Sequence, residues 1–541
     1  MQIRGGVASI ARFLTRPFVS NAVVSSIVGL LLLSDVSIAL FTDGNIPAWG
    51  YVAKNVVGGV LIMAGCVFGI AYFYQQRKDM EGLIGADILL MLDRYSLYAI
   101  FLLCVVALMR LFFGREGGLD TLYPLYAEFD VKPFSFWMLG SLIVAGLWIY
   151  GLSRFFESTI GERNSVFLLY LWLGACLIPF TLALTDGGIR GLTLQFDNEG
   201  MQYQEDSLTI ARLGVLRFLS QFNEIQSTLS YHSTSHPPGP SIFYYLGYKL
   251  FGYSHVLFAI QTIGVAALTI VPVFFLLQQV AGRSVALLGA PVLVVTPSYL
   301  IFSATSFDAV LLFISAVSMA TFYYALIKKN FLWIVGASLS IAVYALTTFH
   351  FLVMGALFVM LPLFLSREKQ TWEPFFKSIM VGLGVVSLGI VCFLTTGYSY
   401  LDSFIQTLGV VDQRNSVLSL QRYTAIFVGN LLAFLIYTGI AAGGTVFAFA
   451  GSLRSALAAN GVARIFGMVL LVIVSVMNIT MFGHYETERV WLFLLPFCLV
   501  PLGLVLSRQA DGVKPRVPFY TMLTVLFLQA WAFQILMYTR W

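Results

Sequence analysis

Charge is what this sequence has least of. Only 11% of its 541 residues are Asp, Glu, Lys or Arg, against about 25% in an ordinary soluble domain. Fully 59% are hydrophobic. That excludes a soluble globular enzyme and makes the bilayer the expected solvent. The net charge of +5, spread over this length, leaves no basic footprint for nucleic acid. The five cysteines, Cys66, Cys104, Cys176, Cys392 and Cys498, all fall inside apolar runs. They read as small buried hydrophobes rather than a disulfide or zinc framework. Histidine is equally scarce, at five, and beside His232 and His236 no second His or Cys pair stands at zinc spacing. The chain has no internal repeat, no low-complexity segment and no soluble domain. Its N-x-T sequon, Asn478-Ile479-Thr480, sits at the end of an apolar run.

What it does have is long apolar runs. A membrane span needs about 20 mostly apolar residues. Candidates lie near 21–41, 53–74, 96–113, 134–153, 165–185, 254–280, 284–302, 307–327, 331–349, 350–366, 379–398, 423–449, 462–481, 489–507 and 518–538. The expected fold class is therefore all-α, a polytopic transmembrane helical protein of about fifteen spans. The first run lacks a small-residue cleavage site and is read as an uncleaved span.

Basic residues in short loops set the orientation. With the amino terminus in the cytoplasm, one side holds Arg4, Arg12, Arg16, Arg77, Lys78, Arg94, Arg154, Arg163, Arg283, Lys328, Lys329, Arg367, Lys369, Lys377, Arg454, Arg464, Arg508, Lys514 and Arg516. Those are 19 of the 31 basic residues. On this assignment four polar stretches share the other, extracytoplasmic face. They are the loop 186–253, the span start at Asp308, the loop 399–422 and the turn 482–489. Residues 204–222 place Leu208, Ile210, Leu213, Leu216, Phe218 and Leu219 largely on one helical face, which predicts a helix lying on the membrane surface. A second interfacial stretch, SIFYYLGYKLFGY, follows the HPPG turn.

Chemistry concentrates in those outer stretches. In DNEGMQYQED (197–206), Asp197, Glu199, Glu205 and Asp206 offer a general base or a divalent-cation site; the plainer reading is a solvated acidic loop. In HSTSHPPGP, Pro237 and Pro238 fix a rigid turn, while His232 and His236 can meet a phosphate or a sugar hydroxyl. Asp308 opens a span, either as a helix cap or as a site carboxylate. In MFGHYETERVWLFLLPF, His484, Glu486, Glu488 and Arg489 precede an apolar run; Arg489 has the planar fork that binds phosphate. Anchoring at the interface is the alternative there. The TTFHF turn around His350 reads as an outer connection between two spans.

The order of these motifs, across roughly 165–505, resembles the GT-C superfamily of integral-membrane glycosyltransferases, which includes the protein mannosyltransferases and the aminoarabinose transferases of lipid A. An acidic motif after a span, a surface helix, HPPG, a later outer carboxylate and ETERVWLFLLP follow in that order. The resemblance implies an enzyme of the cell envelope that takes a sugar from a polyprenyl-phosphate carrier on the extracytoplasmic face. The acceptor would be a glycan, a lipid or a protein. The family's acid, often four residues before a Tyr, corresponds to Glu199 before Tyr203, with Asp197 as the alternative. It would deprotonate an acceptor hydroxyl, and the anomeric centre would invert. Arg489, with His236, would face the leaving phosphate. The donor subsite would also draw on His232, Glu205, Asp206, Asp308, His484, Glu486 and Glu488. No cofactor is required, although Asp197 and Glu199 could hold Mg or Mn. In most members the acidic loop follows the first span; here it follows the fifth. Residues 1–160 are thus expected to be an addition to a catalytic core at 161–541. A bacterial inner membrane is the expected location. The alternatives are a lipid-linked sugar flippase and a surface-polysaccharide polymerase or ligase. A flippase would carry ionisable groups near the bilayer midplane, and a polymerase or ligase would lean on Arg and His in its large loop.

Overall fold

The computed structural model describes residue 95 and residues 127–129, 131–157, 164–415, 420–443, 461–481, 486–508, 510 and 514–538. Among these the chain is almost entirely helical. Twelve of the expected spans coincide with described helices. The runs at 21–41, 53–74 and 96–113, and the expected division at residue 160, lie outside the described residues.

Nine of the described helices are long and apolar enough to cross a membrane, among them His255–Ala281, Asp308–Ile327, Glu373–Thr396 and Thr487–Ser507. Three further apolar helices, Arg283–Val295, Leu332–Thr347 and Ile426–Thr438, are shorter. Proline accounts for two of the interruptions. The expected span at 284–302 divides at Thr296, whose extended backbone (φ −63°, ψ 127°) is the conformation that Pro297 imposes on its predecessor. The span at 254–280 is pinched at Leu268–Thr269, between His255–Ala267 and Ile270–Ala281. Pro272 brings no amide proton, and its ring crowds the carbonyl of Leu268.

The chain falls into two compact units. The smaller contains a two-residue antiparallel pair, Glu128–Phe129 with Met537–Tyr538. The larger comprises Lys132–Leu418 and Tyr437–Ile535, and its helices differ sharply in environment. Thr487–Ser507 is 83% enclosed by protein and Asp308–Ile327 67%, whereas Glu373–Thr396 is 6% enclosed. The last presents Ile379, Leu383, Val386, Ile390 and Leu394 outward, as a lipid-facing helix must.

The connection 186–253 is folded on itself. Its first amphipathic segment is two helices, Asp206–Leu213 and Val215–Ile225, rather than one. Gly214 separates them at φ 79°, ψ 153°, a conformation open only to glycine. Ile210, Phe218 and Phe222 pack around Tyr398, while Leu208 and Leu216 stay exposed. The stretch after the HPPG turn forms the helix Gly239–Phe251. The segment 399–422, expected as a loop, contains the helix Tyr400–Asn415. Asn223 clamps its start, donating to Ser399 O (2.8 Å) and accepting from Ser399 N (3.0 Å). Leu401, Phe404, Ile405 and Leu408 carry the helical spacing that the polar residues between them obscured.

Candidate active site

Two backbone hydrogen bonds join the acidic loop to the histidine loop. Tyr231 N donates to Gly200 O (2.8 Å) and His232 N to Met201 O (3.1 Å). Asp206 completes the joint from below. Its carboxylate accepts from Ser230 Oγ (2.7 Å), Ser233 Oγ (2.5 Å) and Ser230 N (3.2 Å). Ser233 Oγ lies 3.1 Å from Ser241 Oγ at the start of the next helix. Burial pushes the Asp206 carboxyl above its ordinary range, and the serine donors work against that shift. The residue expected at the donor subsite therefore serves as a buried clamp on the loop that carries both histidines.

Tyr203 lies on top of this clamp. It is buried, and its ring packs against His232 (5.7 Å), His236 (5.5 Å, edge-on) and Phe307 (5.5 Å). Burial, reinforced by the Asp308 charge, holds its hydroxyl protonated, far above the usual phenol range. His236 ends the short turn Ser233–Ser235 in extended conformation. Its Nδ1 lies 2.9 Å from His232 O, and its pKa is pushed below the ordinary value by burial, against the pull of Asp308.

The cationic centre is Arg489. It belongs to the four-residue helix Thr487–Val490 and is 6% exposed. Its Nη2 meets Glu486 Oε2 at 2.6 Å and its Nε lies 3.3 Å from Asp308 Oδ2. Asp308 is the first residue of its helix, not its cap. It accepts from Ser306 Oγ (2.7 Å), and its own amide donates back to that hydroxyl (3.1 Å). Asp308 therefore does not cap its helix, and its carboxylate pairs with Arg489. Glu488, the neighbour of Arg489, is buried within electrostatic reach of Tyr437.

Tyr203, His236, Asp308, Glu486 and Arg489 thus share one neighbourhood, each felt electrostatically by others. They come from four segments spread over nearly 290 residues. His350 joins them. Its buried ring stacks on Phe493 (5.2 Å) within electrostatic reach of His236, Asp308 and Arg489. Sequence reasoning noted His350 only as a connection. Its position at the same ends of the spans was the available signal.

The upstream acids stand apart from one another. Asp197 Oδ1 pairs with His255 Nδ1 at 2.7 Å, and its other oxygen accepts from Thr193 Oγ1 (3.1 Å); Asp197 is half exposed. His255, at the start of its span, carried no motif, and only the fold brings it to Asp197. Glu199 is exposed. Glu205 folds back to accept from Gly200 N (2.8 Å). Among the described residues no three His, Cys, Asp or Glu side chains are grouped as metal ligands. His484 lies outside the described residues.

An apolar groove of about 570 Å3 is lined by Leu339, Val343, Leu346, Gly389, Phe393 and Leu401 among others. Phe351 and Tyr400, whose rings meet, belong to that lining, and Phe351 directly follows His350 in sequence.

No family model and no curated protein matches the sequence. Among the solved structures similar to the chain are two of one protein. ArnT from Cupriavidus metallidurans in the apo state shares 15% identity over 64% of this chain and 60% of its own, with a TM-score of 0.42. The same protein bound to undecaprenyl phosphate shares 14% identity over 65% and 61%, with a TM-score of 0.41. The chain covers about three fifths of the length of these proteins.

Proposed function

We propose that this integral membrane protein is a glycosyltransferase that takes a sugar from a polyprenyl-phosphate carrier and passes it to an acceptor hydroxyl with inversion. We propose a bacterial inner membrane as its location and, following the bias of basic residues, an extracytoplasmic site. The observation that carries this reading is the buried Arg489 shared between Asp308 and Glu486, with His236 and Tyr203 in electrostatic reach. A charged site, together with an apolar groove whose lining includes the neighbour of His350, suits a substrate with a phosphate head and an isoprenoid tail. Asp308, Glu486 and Arg489 stand at the ends of described helices rather than at mid-span, which favours an enzyme over a flippase.

In this reading the isoprenoid tail lies along Leu346, Phe351 and Phe393, and the phosphate enters beside Arg489. Glu486, the more exposed of its two partners, gives way to the phosphate, and Asp308 keeps the guanidinium in place. A planar fork held this way binds phosphate in two-point fashion and stabilises the charge that grows on the leaving group. The buried hydroxyls of Ser303 and Thr305, in the turn that carries Asp308, have no hydrogen-bond partner among the described residues and are suited to sugar or phosphate oxygens.

The test uses opposite signs. Undecaprenyl phosphate binding is followed by intrinsic tryptophan fluorescence in nanodiscs. Glu486→Gln is expected to tighten binding several-fold by removing the competing carboxylate, and Arg489→Lys to weaken it about tenfold or more. Weaker binding in Glu486→Gln together with unchanged binding in Arg489→Lys would remove Arg489 from the phosphate site.

A further inference from the structure

We propose that His236, and not a carboxylate, is the general base that takes the proton of the acceptor hydroxyl; this rests on the glycosyltransferase reading above. The geometry sets its tautomer. His232 O can only accept, so the 2.9 Å contact requires the proton on Nδ1 of His236. A neutral imidazole protonated there carries its lone pair on Nε2, the form a base needs. The ring has little freedom. Tyr203 stands edge-on to it, and Pro237 and Pro238 follow at once.

Among the described residues, five carboxylates of these stretches are engaged by other groups. Asp206 is held by Ser230 and Ser233, Asp308 by Arg489 and Ser306, and Glu486 by Arg489. Asp197 faces His255, and Glu205 holds the amide of Gly200. Glu199 is exposed, and among the described residues no hydrogen bond ties it to the cluster. The charged and titratable groups around His236 are Asp308, Arg489, Glu486, His350, His232 and Tyr203. Burial keeps its ring neutral near pH 7, and the Asp308 charge favours the imidazolium once it forms.

The step balances without a co-reactant. The acceptor O–H proton passes to Nε2, and the oxygen forms a bond to the anomeric carbon. The carbon–oxygen bond to phosphate breaks, and its electron pair leaves with the polyprenyl phosphate, which gains one negative charge beside Arg489. The imidazolium then returns its proton to the departing phosphate or to water.

His236→Asn is the informative variant. Its amide nitrogen overlays Nδ1 and keeps the bond to His232 O, but nothing replaces Nε2. The full chain in nanodiscs is given undecaprenyl phosphates bearing radiolabelled hexoses or pentoses, with envelope extract of the producing cells as acceptor. The expected result is undecaprenyl phosphate binding within twofold of wild type, turnover lower by about 10²–10⁴-fold, and partial rescue by added imidazole. His236→Asn that turns over like wild type overturns the proposal. So does a loss that tracks weaker phosphate binding, or a loss seen in Glu199→Gln or Asp197→Asn but not in His236→Asn. The wild-type pH profile is an independent check that needs no variant. Its acid limb should fall below the ordinary histidine value of about 6.5 and move with temperature as an imidazole does; a limb that barely moves marks a carboxylate. A wild-type chain that transfers none of these sugars overturns the glycosyltransferase reading itself, and this inference with it.

Discussion

Asp308 and Asp197 each meet a basic side chain, Arg489 at 3.3 Å and His255 at 2.7 Å. The shorter contact is the weaker anchor. Asp197 is half exposed and His255 a quarter exposed, so water and salt screen the pair. Asp308 and Arg489 are almost fully enclosed, with Glu486 and Ser306 satisfying what remains. In that setting the loss of either partner strands a charge where water cannot reach it. Burial, rather than contact distance, separates a surface latch from a site.

Mutations can break this comparison in order of expected size. Arg489→Leu leaves Asp308 buried without its cation and is expected to cost about 3–5 kcal/mol, seen as a large drop in the thermal unfolding midpoint of the purified chain. A midpoint within two degrees of wild type would mean that water reaches Asp308. Asp206→Asn keeps the size of the side chain but cannot accept all three donors. About 1–3 kcal/mol is expected, together with faster amide exchange at residues 230–236. Protection unchanged in that loop would show that the serines hold it without Asp206. Asp197→Asn is expected to cost no more than about 0.2–1 kcal/mol, less still at high salt. A loss as large as that of Asp206→Asn would place the Asp197–His255 pair inside the folding core.

Most of the architecture is legible in the amino acids. Twelve of the expected spans fall on described helices because a run of apolar residues has few alternatives in a bilayer. Motif order pointed to the outer stretches, and His236, Tyr203, Asp308, Glu486 and Arg489 are among the residues singled out there. Three features escaped. Tyr400–Asn415 reads as a loop in the sequence because its polar residues mask a helical period. The single surface helix expected at 204–222 breaks at Gly214, where one residue's backbone overrides the periodicity on both sides. Asp206 resembled a ligand-binding acid because a motif lists residue types and not the direction in which they face.

Glu373–Thr396 and Thr487–Ser507 have equal mean hydropathy, yet one is 6% enclosed by protein and the other 83%. Composition determined that both are helices able to span a membrane, since an unpaired backbone amide in lipid is too costly. It also determined that polar residues gather at the ends of such helices, where water is within reach. Which helix lies at the centre, which carboxylate is desolvated and which histidine keeps an available lone pair were decided by tertiary packing. Lipid and protein interior are equally apolar, so a side chain's own hydrophobicity cannot distinguish them; only its neighbours can.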